Sequence, residues 1–216
     1  MKSERVNNKA FLCLCLAVFV AFVSCSDKDD EPYPALITEL VMSSSDSQCL
    51  FTSFTTDDDR TFKIANSVKG PSANVRWRFL CGYVKDDETT ARVYTFIRVP
   101  FLPNYAKVEK PRRDATGFAS IWKSKGYINL HLLPLTKGGQ QGWGFLCDST
   151  LLNDAGGNNY FVSLIHYQLN DVKAYTEDLF VSLDLDSIST TRSASDSIFF
   201  RINTFDGWRS WLFNAQ

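Results

Sequence analysis

Few residues of this chain combine type and spacing in the way that chemistry requires. The two histidines, His131 and His166, each lie within an apolar, strand-like run. A zinc-type centre needs three or four convergent ligands. Cys147, Asp184 and Asp186 could in principle join the histidines, but no local spacing gathers them, and the expectation is two structural, hydrogen-bonded imidazoles with neither metal nor cofactor. Ser163 precedes His166 by three residues without the glycine-flanked strand-to-helix elbow by which hydrolases expose a nucleophile. The acidic stretches Asp57-Asp58-Asp59 and Asp86-Asp87-Glu88 could suggest calcium. The first lacks the glycine and distal glutamate of an EF-hand loop, and both read as solvated hairpin turns, where aspartate binds its own backbone. Asp184 and Asp186 share a strand face, with no second acidic strand to oppose them as a glycosidase would need. No catalytic residue is assigned, and the expected role is not enzymatic.

The most informative candidate is a surface. Arg92, Tyr94, Phe96 and Arg98 alternate along one face of the strand expected over Ala91 to Val99, and Arg76 and Arg78 fall together on the strand before it. If Val93, Ile97 and Val99 fill an interior, two aromatic rings flanked by arginines point outward, which a free-standing barrel avoids. These six residues form a possible interaction surface. Its cover could be the second half of the chain, a protein partner, or a ligand with flat or anionic surfaces such as an oligosaccharide. An intramolecular interface is the favoured reading, with Tyr94 and Phe96 expected to be largely buried by residues of the second half or by a partner.

The remaining chemistry is that of cysteine. Lys2, Arg5 and Lys9 precede fourteen uninterrupted apolar residues, Ala10 to Val23. As a helix these span about 21 Å, short of the roughly 30 Å hydrocarbon core of a bilayer, so the stretch reads as a secretory signal over 1–24. Cys25 stands directly behind the run, and Phe22-Val23-Ser24-Cys25 resembles a bacterial lipobox. Its thiol would carry diacylglycerol, and cleavage before it would make Cys25 the first residue, bearing fatty acid such as palmitate. Several acyl chains, at about 0.8 kcal/mol per buried methylene, anchor far more firmly than one. Lys28 followed by Asp29-Asp30-Glu31 resembles the surface-export signal of Gram-negative commensals, and 25–34 reads as a lipidated acidic linker. The expected location is the outer membrane, lipid-anchored and exposed at the cell surface. Loss of the signal leaves 20 basic and 23 acidic residues, so no basic footprint for nucleic acid survives. Cys49, Cys81 and Cys147 remain, an odd number at wide spacing that forms no disulfide framework. At least one is expected to be a buried free thiol.

The elements that would position these groups are strands. Period-two alternation marks Leu36 to Met42, broken by the polar run from Ser43 to Gln48, then Leu50 to Thr55, Thr61 to Ala65, Val75 to Val84 and Ala91 to Val99. In the fourth, Val75, Trp77, Phe79, Cys81 and Tyr83 share one face. Five strands joined by short hairpins suit a small closed or partly closed barrel over 35–108. Lys107 to Asp114, rich in basic residues and proline, reads as an interdomain linker. Phe118 to Trp122, Tyr127 to Leu133, Phe145 to Cys147, Tyr160 to Tyr167, Phe180 to Leu185 and Ile198 to Phe205 then suggest a sandwich of antiparallel sheets over 114–216. The expected fold class is all-β, a small OB-like barrel followed by an antiparallel β-sandwich.

Taken in order, the lipobox, Val75-Arg76-Trp77-Arg78-Phe79-Leu80, Ile121-Trp122, Gly126-Tyr127-Ile128-Asn129-Leu130, Leu164-Ile165-His166 with Asp171 behind it, and Val181-Ser182-Leu183-Asp184-Leu185 resemble the NigD-like lipoproteins. The resemblance implies an N-terminal OB-type barrel and a C-terminal β-sandwich. The family name points to an operon associated with bacteriocin production, and the resemblance carries over no catalytic or ligand residues. The expected function is therefore that of a cell-envelope lipoprotein with a binding or interaction role. The expected partners are the membrane through Cys25 and an envelope protein or glycan. A glycan-binding surface module and a hydrolase with an unrecognised site are the alternatives.

Overall fold

The structure is a computed structural model and describes residues 35–215. The expected signal segment, the expected lipobox with Cys25 and the expected acidic linker up to residue 34 lie outside the described residues. Five strands open the described chain: β1 (Ile37–Ser45), β2 (Leu50–Thr56), β3 (Thr61–Lys69), β4 (Arg76–Lys85) and β5 (Thr90–Val99). They close into a barrel in the order β1-β2-β3-β5-β4, with β4 returning to β1. The β3–β5 pair is parallel and short, formed at Lys63 to Thr90 and Ile64 to Ala91. This is the OB-like arrangement.

The barrel follows from alternation. Val41, Phe51, Phe54, Phe62, Phe79, Cys81, Tyr83, Ala91 and Val93 point inward and form one buried cluster. The Tyr83 hydroxyl donates to Glu39 Oε1 at 2.5 Å, so this buried polar group is satisfied. Burial pushes the Cys81 thiol up to about 12, which keeps it protonated. Cys49, Cys81 and Cys147 are all free. The polar run after Met42 does not end β1, which continues to Ser45. The hydroxyls of Ser43 and Ser45 donate to the Ser53 and Ser72 carbonyls, so the serines serve the sheet instead of breaking it.

The second half forms β6 (Phe118–Ser124), β7 (Tyr127–Leu132), β8 (Leu135–Thr136), β9 (Gly142–Leu152), β10 (Asn158–Tyr167), β11 (Tyr175–Thr176), β12 (Leu179–Asp184), β13 (Ser197–Thr204) and β14 (Gly207–Asn214). One sheet runs β14-β13-β10-β9, a second β12-β7-β6, and β8 pairs with β11 in a short ribbon. Pairing is antiparallel except between β10 and β13. Ile128, Leu130 and Leu132 of β7 and Val181 and Leu183 of β12 share one core with Phe145, Val162, Leu164, Ile198, Phe200 and Ile202 of the larger sheet. The strands not expected from sequence are the two-residue β8 and β11 and the eight-residue β14. In β14, Trp208 and Trp211 lie three apart and fall on opposite faces, which hides its alternation. β12 ends at Asp184, which caps a 3₁₀ turn over Leu185–Ser187 by accepting the Asp186 amide at 3.0 Å. Asp184 and Asp186 therefore do not share a strand face.

A departure from simple alternation that exchanges inner and outer faces lies in β5. Gly82 pairs with Thr95 but Tyr83 pairs with Val93, so Tyr94 is an extra residue in a bulge. Gly82 is tightly placed opposite the bulge, where a Cβ would lie 3.2 Å from Thr95 Cβ and the neighbour would have to give by a few tenths of an ångström. One added residue reverses the faces beyond it. Phe96 turns into the barrel and stacks on Phe79 with ring centroids 3.8 Å apart. Ile97, expected inside, is 57% exposed, and the bulged Tyr94 is 64% exposed.

The segment between the two halves is not a free linker. Ser182 N–H donates to the Pro100 carbonyl and Leu102 N–H to the Ser182 carbonyl along the edge of β12. Phe145 N–H and the Tyr105 N–H then exchange bonds with Pro103 and Phe145 along β9, at 2.9 and 2.8 Å. Further on, Arg113 bridges to His166 and Thr116 to Thr204. The sequence suggested a spacer here because proline and charge dominate it, yet its backbone is stitched across the sandwich.

Candidate functional site

The barrel and the sandwich meet around Arg78. Its side chain is wholly buried, on the outer face of β4, where the three-stranded sheet covers it. Both terminal nitrogens donate to the Asp57 carboxylate at 2.7 and 2.6 Å. Nε donates to Ser182 Oγ at 2.8 Å and Nη2 also to Asn129 Oδ1 at 3.0 Å. The guanidinium lies 4.0 Å from the centre of the Tyr127 ring, a cation–π contact that desolvation strengthens. Burial pushes the Tyr127 phenol up, with Arg78 opposing. A buried arginine is tolerated only when its donors are matched in this way.

Beside this clamp a cleft of about 500 Å³ opens between the two halves. The barrel contributes Met42 of β1, Thr55 and Thr56 of β2, the turn residues Asp57 and Asp59, and Arg76 of β4. The sandwich contributes Lys125, Gly126 and Tyr127 from the β6–β7 turn, and Asp186, Thr190 and Arg192 from the segment after β12. A smaller depression of about 220 Å³, lined by Ser44, Ser53 and others, shares Met42, Thr55 and Arg76 with it and prolongs it along the barrel. Lys125 pairs with Asp59, and Arg192 pairs with Asp186 at 2.8 Å. Asp59 adopts φ +65°, a left-handed conformation that aspartate tolerates in turns. Arg76 is exposed, and among the described residues its side chain makes neither an ion pair nor a hydrogen bond.

The six surface residues expected from sequence are thus dispersed. Arg76 and Arg78 do share a face, but Arg78 is consumed by the clamp while Arg76 opens into the cleft. Arg92 pairs with Asp86 at 3.3 Å in solvent. Arg98 lies 4.3 Å over the Trp77 ring. Phe96 is inside the barrel and Tyr94 outside it, so neither ring is covered by the second half, and the single aromatic face is corrected by the bulge. The Asp57 to Asp59 turn is also corrected, since it is tied to Arg78 and Lys125 instead of being merely solvated. Lys125, Tyr127, Asp186, Thr190 and Arg192 carry no local pattern. The one usable signal was the opposite charge of the Asp57-Asp58-Asp59 and Lys123-Ser124-Lys125 turns.

Both histidines are held in place. His166 is buried and stacks on Trp143 with centroids 4.0 Å apart. Its Nδ1–H donates to the Asp114 carbonyl at 3.0 Å, and Nε2 lies 2.9 Å from Gln141 Oε1. Burial lowers its pKa, with the hydrogen bond to the Asp114 carbonyl opposing. His131 stacks on Phe180, and its Nε2 lies 2.5 Å from Asp178. Among the described residues no group of three or more His, Cys, Asp or Glu gathers as a metal site.

Behind His166, Asp171 accepts from the Thr136 hydroxyl, the Lys137 and Gly139 amides and Gln141 Nε2. These donors hold its carboxyl well below the usual carboxylate range. A depressed folded pKa stabilises the fold above the unfolded value of about 3.9 and is lost as pH falls through the folded value. Asp171→Asn is therefore expected to lower stability at pH 7 and to flatten the loss of stability below about pH 4, measured as urea midpoints across that range.

The sequence model of the NigD-like C-terminal beta sandwich domain matches residues 100–214, more than half of the chain. The chain belongs to the NigD-like family. Among curated proteins none matches it. Solved structures similar to this NigD-like chain include an immunity protein of that type from Bacteroides caccae, 20% identical, covering 84% of this chain and 93% of that one with a TM-score of 0.61. A protein from Parabacteroides distasonis described as toxin-related is 15% identical, with coverage of 84% and 95% and a TM-score of 0.65. A candidate lipoprotein from Bacteroides fragilis is 12% identical, with coverage of 83% and 96% and a TM-score of 0.57. At these identities the likeness is one of fold. Because it spans most of each chain, the likeness takes in both the barrel and the sandwich.

Proposed function

We propose that this NigD-like protein is a lipid-anchored protein of the outer membrane, displayed at the cell surface, whose role is to bind. The observation that carries the binding role is the cleft with Arg76 free at its floor, set on a framework fastened by Arg78. Phe22-Val23-Ser24-Cys25 and the acidic run behind it support the anchor, as does the description of the Bacteroides fragilis relative as a candidate lipoprotein. The description of the Bacteroides caccae relative as an immunity protein is in keeping with a role exercised by binding. An envelope protein or a glycan is the class of partner such a cleft serves.

Cys25→Ala tests the anchor. The wild type is expected to incorporate labelled palmitate and fractionate with the outer membrane, and the variant to do neither. Retention of both by the variant sinks the anchor. Affinity capture with the lipidated protein tests the binding role, which requires a ligand retained by the wild type and lost by Arg76→Glu.

A further inference from the structure

We infer that the cleft recognises an acidic oligosaccharide, with the carboxylate of a uronic acid residue docked on Arg76. This rests on the reading of the cleft as a binding site. Charge sets the first requirement. The three acids of the cleft, Asp57, Asp59 and Asp186, face Arg78, Lys125 and Arg192 respectively. Each acid is matched, and Arg76 is the cation left over in a chain whose formal charge is -1. A planar carboxylate presented to a guanidinium forms paired, charge-assisted hydrogen bonds.

The rest of the lining selects the carrier of that carboxylate. A peptide bound in a groove needs apolar sockets for its side chains or a strand edge for its backbone. Met42 is the one aliphatic side chain in the lining of the larger cleft. The floor strands β1, β2 and β4 are paired on both sides within the closed barrel, so they offer no edge. Hydroxyls are plentiful instead: Ser44, Ser53, Thr55 and Thr190 line the two depressions. Together with the ion-paired carboxylates and cations, they give donors and acceptors to sugar hydroxyls. The Tyr127 ring lies against Arg78 and stacks with Phe101 at 5.7 Å. It is not a free platform for a neutral sugar, which places the discrimination on charge.

The test is calorimetric titration of the detergent-solubilised full chain with tetragalacturonic acid, with maltotetraose as the neutral glycan and tetra-aspartate as the acidic peptide. Arg76 is exposed and unpartnered, so Arg76→Ala should fold as the wild type does, checked by circular dichroism. Tetragalacturonic acid is expected to bind the wild type, about tenfold or more weakly to Arg76→Ala, and less weakly to Arg76→Lys. Arg209→Ala, remote from the cleft, is expected to leave binding unchanged. Equal binding by wild type and Arg76→Ala overturns the inference, as does the absence of uronate binding at millimolar concentration. Maltotetraose or tetra-aspartate binding as tightly as the uronate overturns it too. If affinity capture still returns an Arg76-dependent ligand while the uronate fails, the ligand class falls and the binding site stands.

Discussion

Arg78→Ala is expected to lower the free energy of unfolding by about 3–5 kcal/mol, the cost of breaking a buried ion pair from one side. The substitution leaves the Asp57 carboxylate facing the junction without its counter-charge, and takes a donor from both Ser182 and Asn129. It also opens a void against the Tyr127 ring. Urea unfolding of wild type and variant measures the difference, with slopes compared to confirm that the same surface is exposed. Pairing Arg78→Met with Asp57→Leu should recover part of the loss, because the unmatched charge is then gone. A variant within about 0.5 kcal/mol of wild type, the range of ordinary surface changes, would show that Arg78 does not fasten the barrel to the sandwich.

The second large effect contrasts two neighbours. Phe96→Ala is expected to cost about 2–4 kcal/mol, since its ring stacks on Phe79 and packs edge-on to Phe51 at 5.3 Å. Ile97→Ala, next to it, should fall within about 0.5 kcal/mol of wild type, as for an exposed position. Simple alternation predicts the reverse ranking. Equilibrium unfolding of the two variants therefore tests the bulge at Tyr94 directly: if Ile97→Ala proves the costlier change, the register of β5 is wrong.

That contrast also shows what the chain reveals before it is folded. The barrel strands were legible because Trp77, Phe79, Cys81 and Tyr83 alternate without interruption, and a buried face imposes its period on the sequence. The register beyond Tyr94 was not, because a bulge inserts one residue and leaves composition unchanged. Inner and outer positions are exchanged by a pairing partner, Gly82, some dozen residues away. The extent of β1 was hidden by serines, whose hydroxyls satisfy neighbouring carbonyls in the sheet as readily as they would in a turn. β14 was hidden because its aromatics serve both faces. The cleft was the least visible. Arg76 was singled out correctly for its charge and its face, but the opposite wall of the cleft, from Lys125 to Arg192, comes from segments about fifty or more residues away. Such segments take their meaning from packing. Arg78, two residues on along the same face, had an identical sequence signature and an opposite fate, decided by Ser182 and Asn129 of the sandwich.

For any ligand of the cleft, the stitched segment from Pro100 to Thr116 would shape the kinetics of recognition. A tether free of the sandwich would let the two walls of the cleft swing apart, and a ligand would have to wait for them to close. Here the tether is bonded to β12 and β9 at one end and to β10 and β13 at the other, while Arg78 pins the walls where they meet. The two walls are therefore tied together before anything enters the gap. Association would be governed by encounter and by the electrostatic pull of the unmatched Arg76, and so slow with added salt, while affinity would be set by how fast the ligand leaves.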